Sequence, residues 1–303
     1  MSIALEGTDR LSQLKDRMKR SQEAGFDYEK RATVEVPACN VCRTNKTLPI
    51  AHRDRYGFAV GCIECKNCQC AWLSPRMPAS DYQDFYSNWY RPILSAWYGR
   101  EFTPESIEND QTFYAKAVAD ALLKHLAGRD GQSLLDVGGS TGITALALAD
   151  VYGVVPTVLD PCDAELERAK QRGFRTIHGC AETAPVWEKF DVITMMQTIE
   201  HLTDPRGTVS KLKCLLKPNG LLIFDCNQWQ QQKTSRPVEM FIKIDHLYYF
   251  SDYSILWLLE SVGLELVTKF CCVNNKWHYV CRAGEIGRGR EADHMRVRPG
   301  EIF

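Results

Sequence analysis

From about residue 109 onward, short apolar runs alternate with amphipathic segments, and this rhythm constrains the fold more than any other feature of the chain. SLLDVGG is an apolar run ending in glycine, ITALALADVYG has helical spacing, VVPTVLDP reads as a strand, and DAELERAKQRG is an amphipathic helix stopped by glycine. RTIHG, FDVITMMQ and GLLIFDC continue the strands, with helix-like text at 204–217 and 251–262. Alternation of this kind predicts an α/β fold, a doubly wound, mostly parallel sheet with helices on both faces. LELVTKF and HYVCRA have no helix between them, so they are expected to close the sheet as an antiparallel hairpin.

The text before residue 109 follows other rules. Of 13 cysteines, six (Cys39, Cys42, Cys62, Cys65, Cys68 and Cys70) fall within 32 residues. Cys39, Cys42, Cys65 and Cys68 form C-x2-C-x22-C-x2-C, whose two-residue spacers let four thiolates close on a structural Zn²⁺. Cys62 and Cys70 leave other registers open for the second pair; Cys65 and Cys68 are preferred. The expected organisation is a polar arm over 1–31 (a solvated helix or loose), a zinc-ribbon module over 32–80, and a Tyr- and Trp-rich helical linker or lid over 81–108. The α/β domain then spans 109–285, with a polar tail over 286–303. Lys and Arg number 37 against 38 Asp and Glu, a net charge of -1, which argues against nucleic acid as a partner. No run approaches the roughly 18–20 apolar residues of a membrane span, and the charged N-terminus lacks the apolar stretch of a secretory signal. The cytoplasm is the expected compartment; the oligomeric state is not indicated.

The run Leu134–Gly142 (LLDVGGSTG) is a strand entering a glycine-rich turn that opens a helix. Glycines there admit close approach of a ligand to the backbone, and the helix start offers free N–H groups. Asp160, at the end of the next strand, is placed to accept both hydroxyls of a ribose. Asp136, just before the turn, suits a ligand carrying an ammonium group rather than a dinucleotide. With VLDP, HGCAET, FDVITMMQTIEHLTDP and LKPNGLLIFDC following in order, residues 109–283 resemble the class I S-adenosylmethionine-dependent methyltransferases, with their Rossmann-like sheet. The resemblance implies that Asp136, Gly138, Gly139 and Gly142 line the methionine end of the cofactor. It likewise puts Asp160 on the ribose, Pro161 and the Ala181 N–H by the adenine, and Gln197 near the methyl. Cys180 stands where many relatives carry Asp facing the adenine amine. Ser140 replaces a common glycine and is expected to be accommodated with a negative φ.

Where the acceptor is a hydroxyl, methyl transfer needs a group to take its proton. His201 and His246 are the candidates, His246 narrowly ahead because it lies in the polar insertion 227–250, beside Asp245 and Tyr248. Some methyltransferases carry Glu-x-x-Glu-His at this point and bind a divalent ion. Here Gln197 replaces the first acid, which argues against a catalytic metal. Cys65 to Met77 and the Tyr-rich text beyond resemble the front of sugar C-methyltransferases. Together these readings predict a methyltransferase for a small polar acceptor (a sugar, nucleotide-sugar or secondary metabolite) at a hydroxyl or carbon. The alternative is a zinc-ribbon adaptor or RNA-binding protein whose methyltransferase fold only binds. Intact Asp136, Gly138, Gly142 and Asp160 favour the enzyme.

Overall fold

The computed structural model describes residues 2–232 and 237–284; the expected tail at 286–303 lies outside the described residues. Three strands come first: β1 (Thr47–Ala51), β2 (Cys62–Cys65) and β3 (Ala71–Leu73). The α/β part supplies β4 (Ser133–Val137), β5 (Val155–Asp160), β6 (Arg175–His178), β7 (Phe190–Met195) and β8 (Leu216–Asn227). A two-residue β9 (Tyr248–Tyr249) precedes β10 (Leu264–Cys271) and β11 (Lys276–Ala283).

Seven strands form one sheet in the order β10-β11-β8-β7-β4-β5-β6. The pairs from β8 to β6 are parallel, and β11 runs antiparallel to both its neighbours, closing the sheet as the expected hairpin. Successive residues of the central strands feed different faces. Leu134, Val192 and Ile223 join one core, while Leu135, Ile193 and Phe224 join the other. The chain leaves β4 through β5 and β6, then returns on β4's other side as β7. Strand order therefore reverses at the C-terminal end of β4, the place where open α/β sheets bind ligands.

The helix expected at 204–217 spans Pro205–Cys214. Asp204 caps it by accepting the Gly207 N–H at 3.0 Å. It stops early because Leu216 already pairs with Phe190, so β8 begins before the apolar run that announced it.

The N-terminal strands are tied into this body. β3 pairs with β9, so the segment after β8 adds a fourth strand to the small sheet. Buried Asp54 accepts N–H bonds from Phe58 at 2.9 Å and from Ile244 at 3.1 Å, joining the two parts. One core runs from Phe26, Tyr56 and Trp72 through to Phe224. The first helix, Ser2–Gln22, docks through Arg20 on Ala96 O and Gln22 on Gly57 O, and is not a loose arm.

Candidate active site

β4 ends at Val137 and the chain turns through Gly138 at φ +67°. A Cβ on Gly138 would overlap the Thr198 side chain, and one on Gly139 would fall 2.7 Å from Asp136 Oδ2. Only hydrogen fits at either place. Asp136 is buried, with Oδ1 accepting from Thr194 Oγ1 at 2.7 Å and Oδ2 lacking a hydrogen-bond partner. Burial pushes its carboxyl up to about 6, with the Thr194 hydroxyl and, more weakly, the Ala145 amide pulling it back.

Asp160 accepts one N–H on each oxygen, from Ser140 and from Cys162, both at 2.9 Å. A carboxylate oxygen retains a second lone pair, so both oxygens can still receive a ligand hydroxyl. Burial, then the charge of Glu165, raises Asp160 to about 7. Ser140 does not have the negative φ expected of it: φ is +51°. Its N–H is fixed by Asp160 and its hydroxyl by Glu165, contacts that offset the strain of a left-handed serine.

These groups face a cavity of about 300 Å³ lined by Asp136, Gly138, Gly139, Asp160, Pro161 and Gln197. A second lobe of about 260 Å³ reaches Cys180 and Ala181 and shares Gly138, Pro161 and His201 with the first. Of the expected cofactor residues only Gly142 stands elsewhere. A Cβ on it would meet Phe174 at 3.2 Å and Ala169 at 3.3 Å, so it serves the packing of helix Ile143–Tyr152 against its neighbour. Gln197 is held left-handed, at φ +52°, by its N–H bond to Asp225. Tyr86, Tyr90 and Phe102, all from the aromatic stretch, complete the cavity wall.

His201 lines both lobes. Its Nδ1 lies 2.6 Å from the Asp245 carbonyl and 3.0 Å from the Tyr86 hydroxyl. A carbonyl can only accept, so Nδ1 carries the proton and Nε2 presents its lone pair. His246 packs edge-on behind it, ring centroids 4.6 Å apart, and faces a separate cavity. There Lys243 Nζ lies 2.7 Å from His246 Nε2. Burial and the Lys243 charge hold His246 well below the usual imidazole range. Glu200, His201 and His246 bring potential ligand atoms within 4.8 Å of one another, but Lys243 sits on the His246 nitrogen.

The other cluster is Cys39, Cys42, Cys65 and Cys68, whose sulfurs lie within 4.8 Å of one another. Cys39 and Cys68 are 3.5 Å apart, as are Cys42 and Cys65. The two loops repeat one geometry. Arg43 N bonds Cys39 O at 2.9 Å and Gln69 N bonds Cys65 O at 3.0 Å, and Arg43 and Gln69 are both left-handed. Asn67 and Cys68 N–H groups point at Cys65 Sγ, from 3.3 and 3.4 Å, as donors do around a metal-bound thiolate. Four soft sulfurs with such donors fit Zn²⁺. Cys62 and Cys70 are buried outside the quartet.

A family model described as a methyltransferase domain matches residues 107–269. The chain belongs to this methyltransferase family. The methyltransferase is 33% identical over 156 residues to the ubiquinone biosynthesis O-methyltransferase of Haemophilus ducreyi, covering 47% of this chain and 60% of that one. It is 36% identical over 117 residues to the enzyme of the same name from Actinobacillus pleuropneumoniae serotype 7, covering 35% and 50%. The matches thus span 50–60% of these two relatives' length. Among solved structures, magnesium protoporphyrin IX methyltransferase from Synechocystis PCC 6803 superposes with a TM-score of 0.51 at 13% identity, covering 67% of this chain and 99% of that one. Mitomycin 7-O-methyltransferase gives 0.51 at 17% identity, covering 67% and 60%. These two share the class I fold. The relatives' names correct the expectation of a sugar or nucleotide-sugar acceptor; methylation at a hydroxyl is the part that agrees. No helix among the described residues is long and apolar enough to cross a membrane.

Several site residues carried no signal in the sequence. Tyr86 was one of many aromatics in its stretch. Thr194 could have been found, since pairing β7 beside β4 puts it opposite Asp136.

Proposed function

We propose that this methyltransferase moves a methyl group from S-adenosylmethionine to a hydroxyl on a small aromatic acceptor. The observation that carries the reading is the position of His201, on the wall of the glycine-turn cavity and packed against His246 on the wall of a second, aromatic cavity. Asp136 would hold the cofactor's ammonium with its unpartnered Oδ2, and Asp160 its ribose. Bound there, S-adenosylmethionine supplies an electrophilic methyl on a sulfonium. His201 is the proposed base: with Nδ1–H fixed by the Asp245 carbonyl, Nε2 can take a hydroxyl proton. His246, narrowly preferred from sequence, is occupied by Lys243 and becomes a supporting group. The relatives' role in ubiquinone biosynthesis and their O-methyl chemistry support a ring hydroxyl as the acceptor.

Cys39, Cys42, Cys65 and Cys68 would hold one Zn²⁺ with all four positions filled, a structural ion that takes no part in the chemistry. On this reading 32–80 is the zinc-stapled unit and 81–108 the cover of the cofactor cavity. Calorimetric titration with S-adenosylmethionine, followed by transfer of labelled methyl onto a panel of phenols, tests the proposal. Absence of cofactor binding would end it.

A further inference from the structure

A cavity of about 210 Å³ lies beyond the two histidines, and its wall is unlike that of the cofactor cavity. Arg55, Lys243, Glu200 and His246 face it together with aromatic rings, Trp229 and Phe241 among them. Arg55 comes from the loop between β1 and β2, within the cysteine-bearing unit. Two of its five N–H donors, on Nε and Nη2, bond Met240 O at 3.1 and 2.8 Å, which fixes the guanidinium. Neither Arg55 nor Lys243 has a carboxylate oxygen within 4.0 Å among the described residues, although the charges of Asp245 and Glu200 act on Lys243 and the Arg55 guanidinium lies over the Trp97 ring. Glu200 is 5% exposed, and its Oε2 has no hydrogen-bond partner.

Two half-buried cations, one of them also bonded to His246 Nε2, therefore share the cavity with one carboxylate oxygen that has no donor. An unpartnered buried acceptor is costly and the two cations retain free donors, so the arrangement suits a ligand that supplies both an anion and a hydroxyl. The volume falls below the roughly 300 Å³ at which pockets for drug-sized molecules begin, and with aromatic walls it suits a single ring. We propose that this cavity is the acceptor subsite and that it selects a hydroxylated aromatic carboxylic acid. Arg55 and Lys243 bind the carboxylate, while Glu200 accepts from a ring hydroxyl. The N-terminal unit thereby takes part in substrate selection, besides being a folded staple. The inference rests on the O-methyltransferase reading for its chemistry, though not for the binding it predicts.

The test is calorimetry on the full chain, with and without S-adenosylhomocysteine, using dihydroxybenzoate and the matching dihydroxybenzamide as probes. The acid should bind about 10–100-fold tighter than the amide, the range of charge-assisted hydrogen bonds to a carboxylate. Arg55→Gln and Lys243→Met should each weaken the acid roughly tenfold and leave the amide within about twofold. Equal binding of acid and amide by the parent, a preference that survives both variants, or no binding of either probe at millimolar concentration would overturn the subsite. Tighter binding of hydroxyphenyl phosphate than of the acid would overturn the carboxylate assignment. The S-adenosylhomocysteine titration is read separately: its failure removes the methyltransferase reading, while the acid-to-amide ratio still judges the cavity.

Discussion

Replacing Asp136 by Asn should move stability and cofactor affinity in opposite directions. The side chain is 1% exposed, and burial raises its carboxyl to about 6. Its ordinary value in an unfolded chain is near 4, so the folded protein holds a proton that the unfolded chain releases. The stability this lends is fully present below about pH 4 and is lost as pH rises through about 6, to a total of about 3 kcal/mol. An amide keeps the Thr194 hydrogen bond and has no charge to desolvate. At pH 8, therefore, ligand-free Asp136→Asn should unfold at a higher temperature than the parent, and the gap should close toward pH 4. Cofactor binding should respond the other way. Loss of a charge-assisted bond to an ammonium costs about 1.5–3 kcal/mol, or roughly 10–150-fold in affinity. Thermal melts from pH 4 to 8 and calorimetry with S-adenosylhomocysteine measure the two effects. Affinity within about twofold of the parent, or a lower melting temperature at pH 8, would refute the assignment of Asp136 as the ammonium's partner.

Asp160→Ala should weaken S-adenosylmethionine binding by roughly 10-fold or more through two lost hydrogen bonds, and parental affinity would refute the ribose assignment. With Asp136 near 6 and Asp160 near 7 in the free protein, cofactor affinity should rise with pH across that interval, because the ligand needs both carboxylates ionised; calorimetry at pH 5.5, 6.5 and 7.5 reads the slope. His201→Ala should lower turnover on a phenol by about 10²-fold while cofactor affinity stays close to the parent's, and full turnover would remove it as the base. Elemental analysis should find about one zinc per chain, with Cys42→Ser lowering both zinc content and melting temperature; zinc-free, fully stable parent protein would refute the cysteine site.

How much of this was legible in the sequence follows from the range of each interaction. The sheet was legible because its central strands are near-continuous apolar runs, buried on both faces, punctuated by glycine and proline. The glycine turn, Asp136 and Asp160 sit at the ends of such strands, so reading the strands placed them. The register of the second cysteine pair was preferred on spacing; in the structure Cys65 and Cys68 join the quartet because they occupy the same loop positions as Cys39 and Cys42. Ser140 escaped because its backbone angle depends on Asp160 and Glu165, 20 and 25 residues away. The second cavity was least visible of all. It exists because β9, two residues long, pairs with β3 across some 180 residues of chain, and no propensity scale registers so short a strand. That pairing anchors the segment carrying Lys243, Asp245 and His246, while Asp54 bonds Ile244 and the neighbouring Arg55 bonds Met240. The groups proposed to recognise the acceptor thus come from two parts of the sequence that looked like separate modules, and neither part contains the cavity alone. A small sheet closed by four cysteines therefore does more than fold: its stability sets the position of Arg55, and stripping zinc should weaken acceptor binding more than cofactor binding.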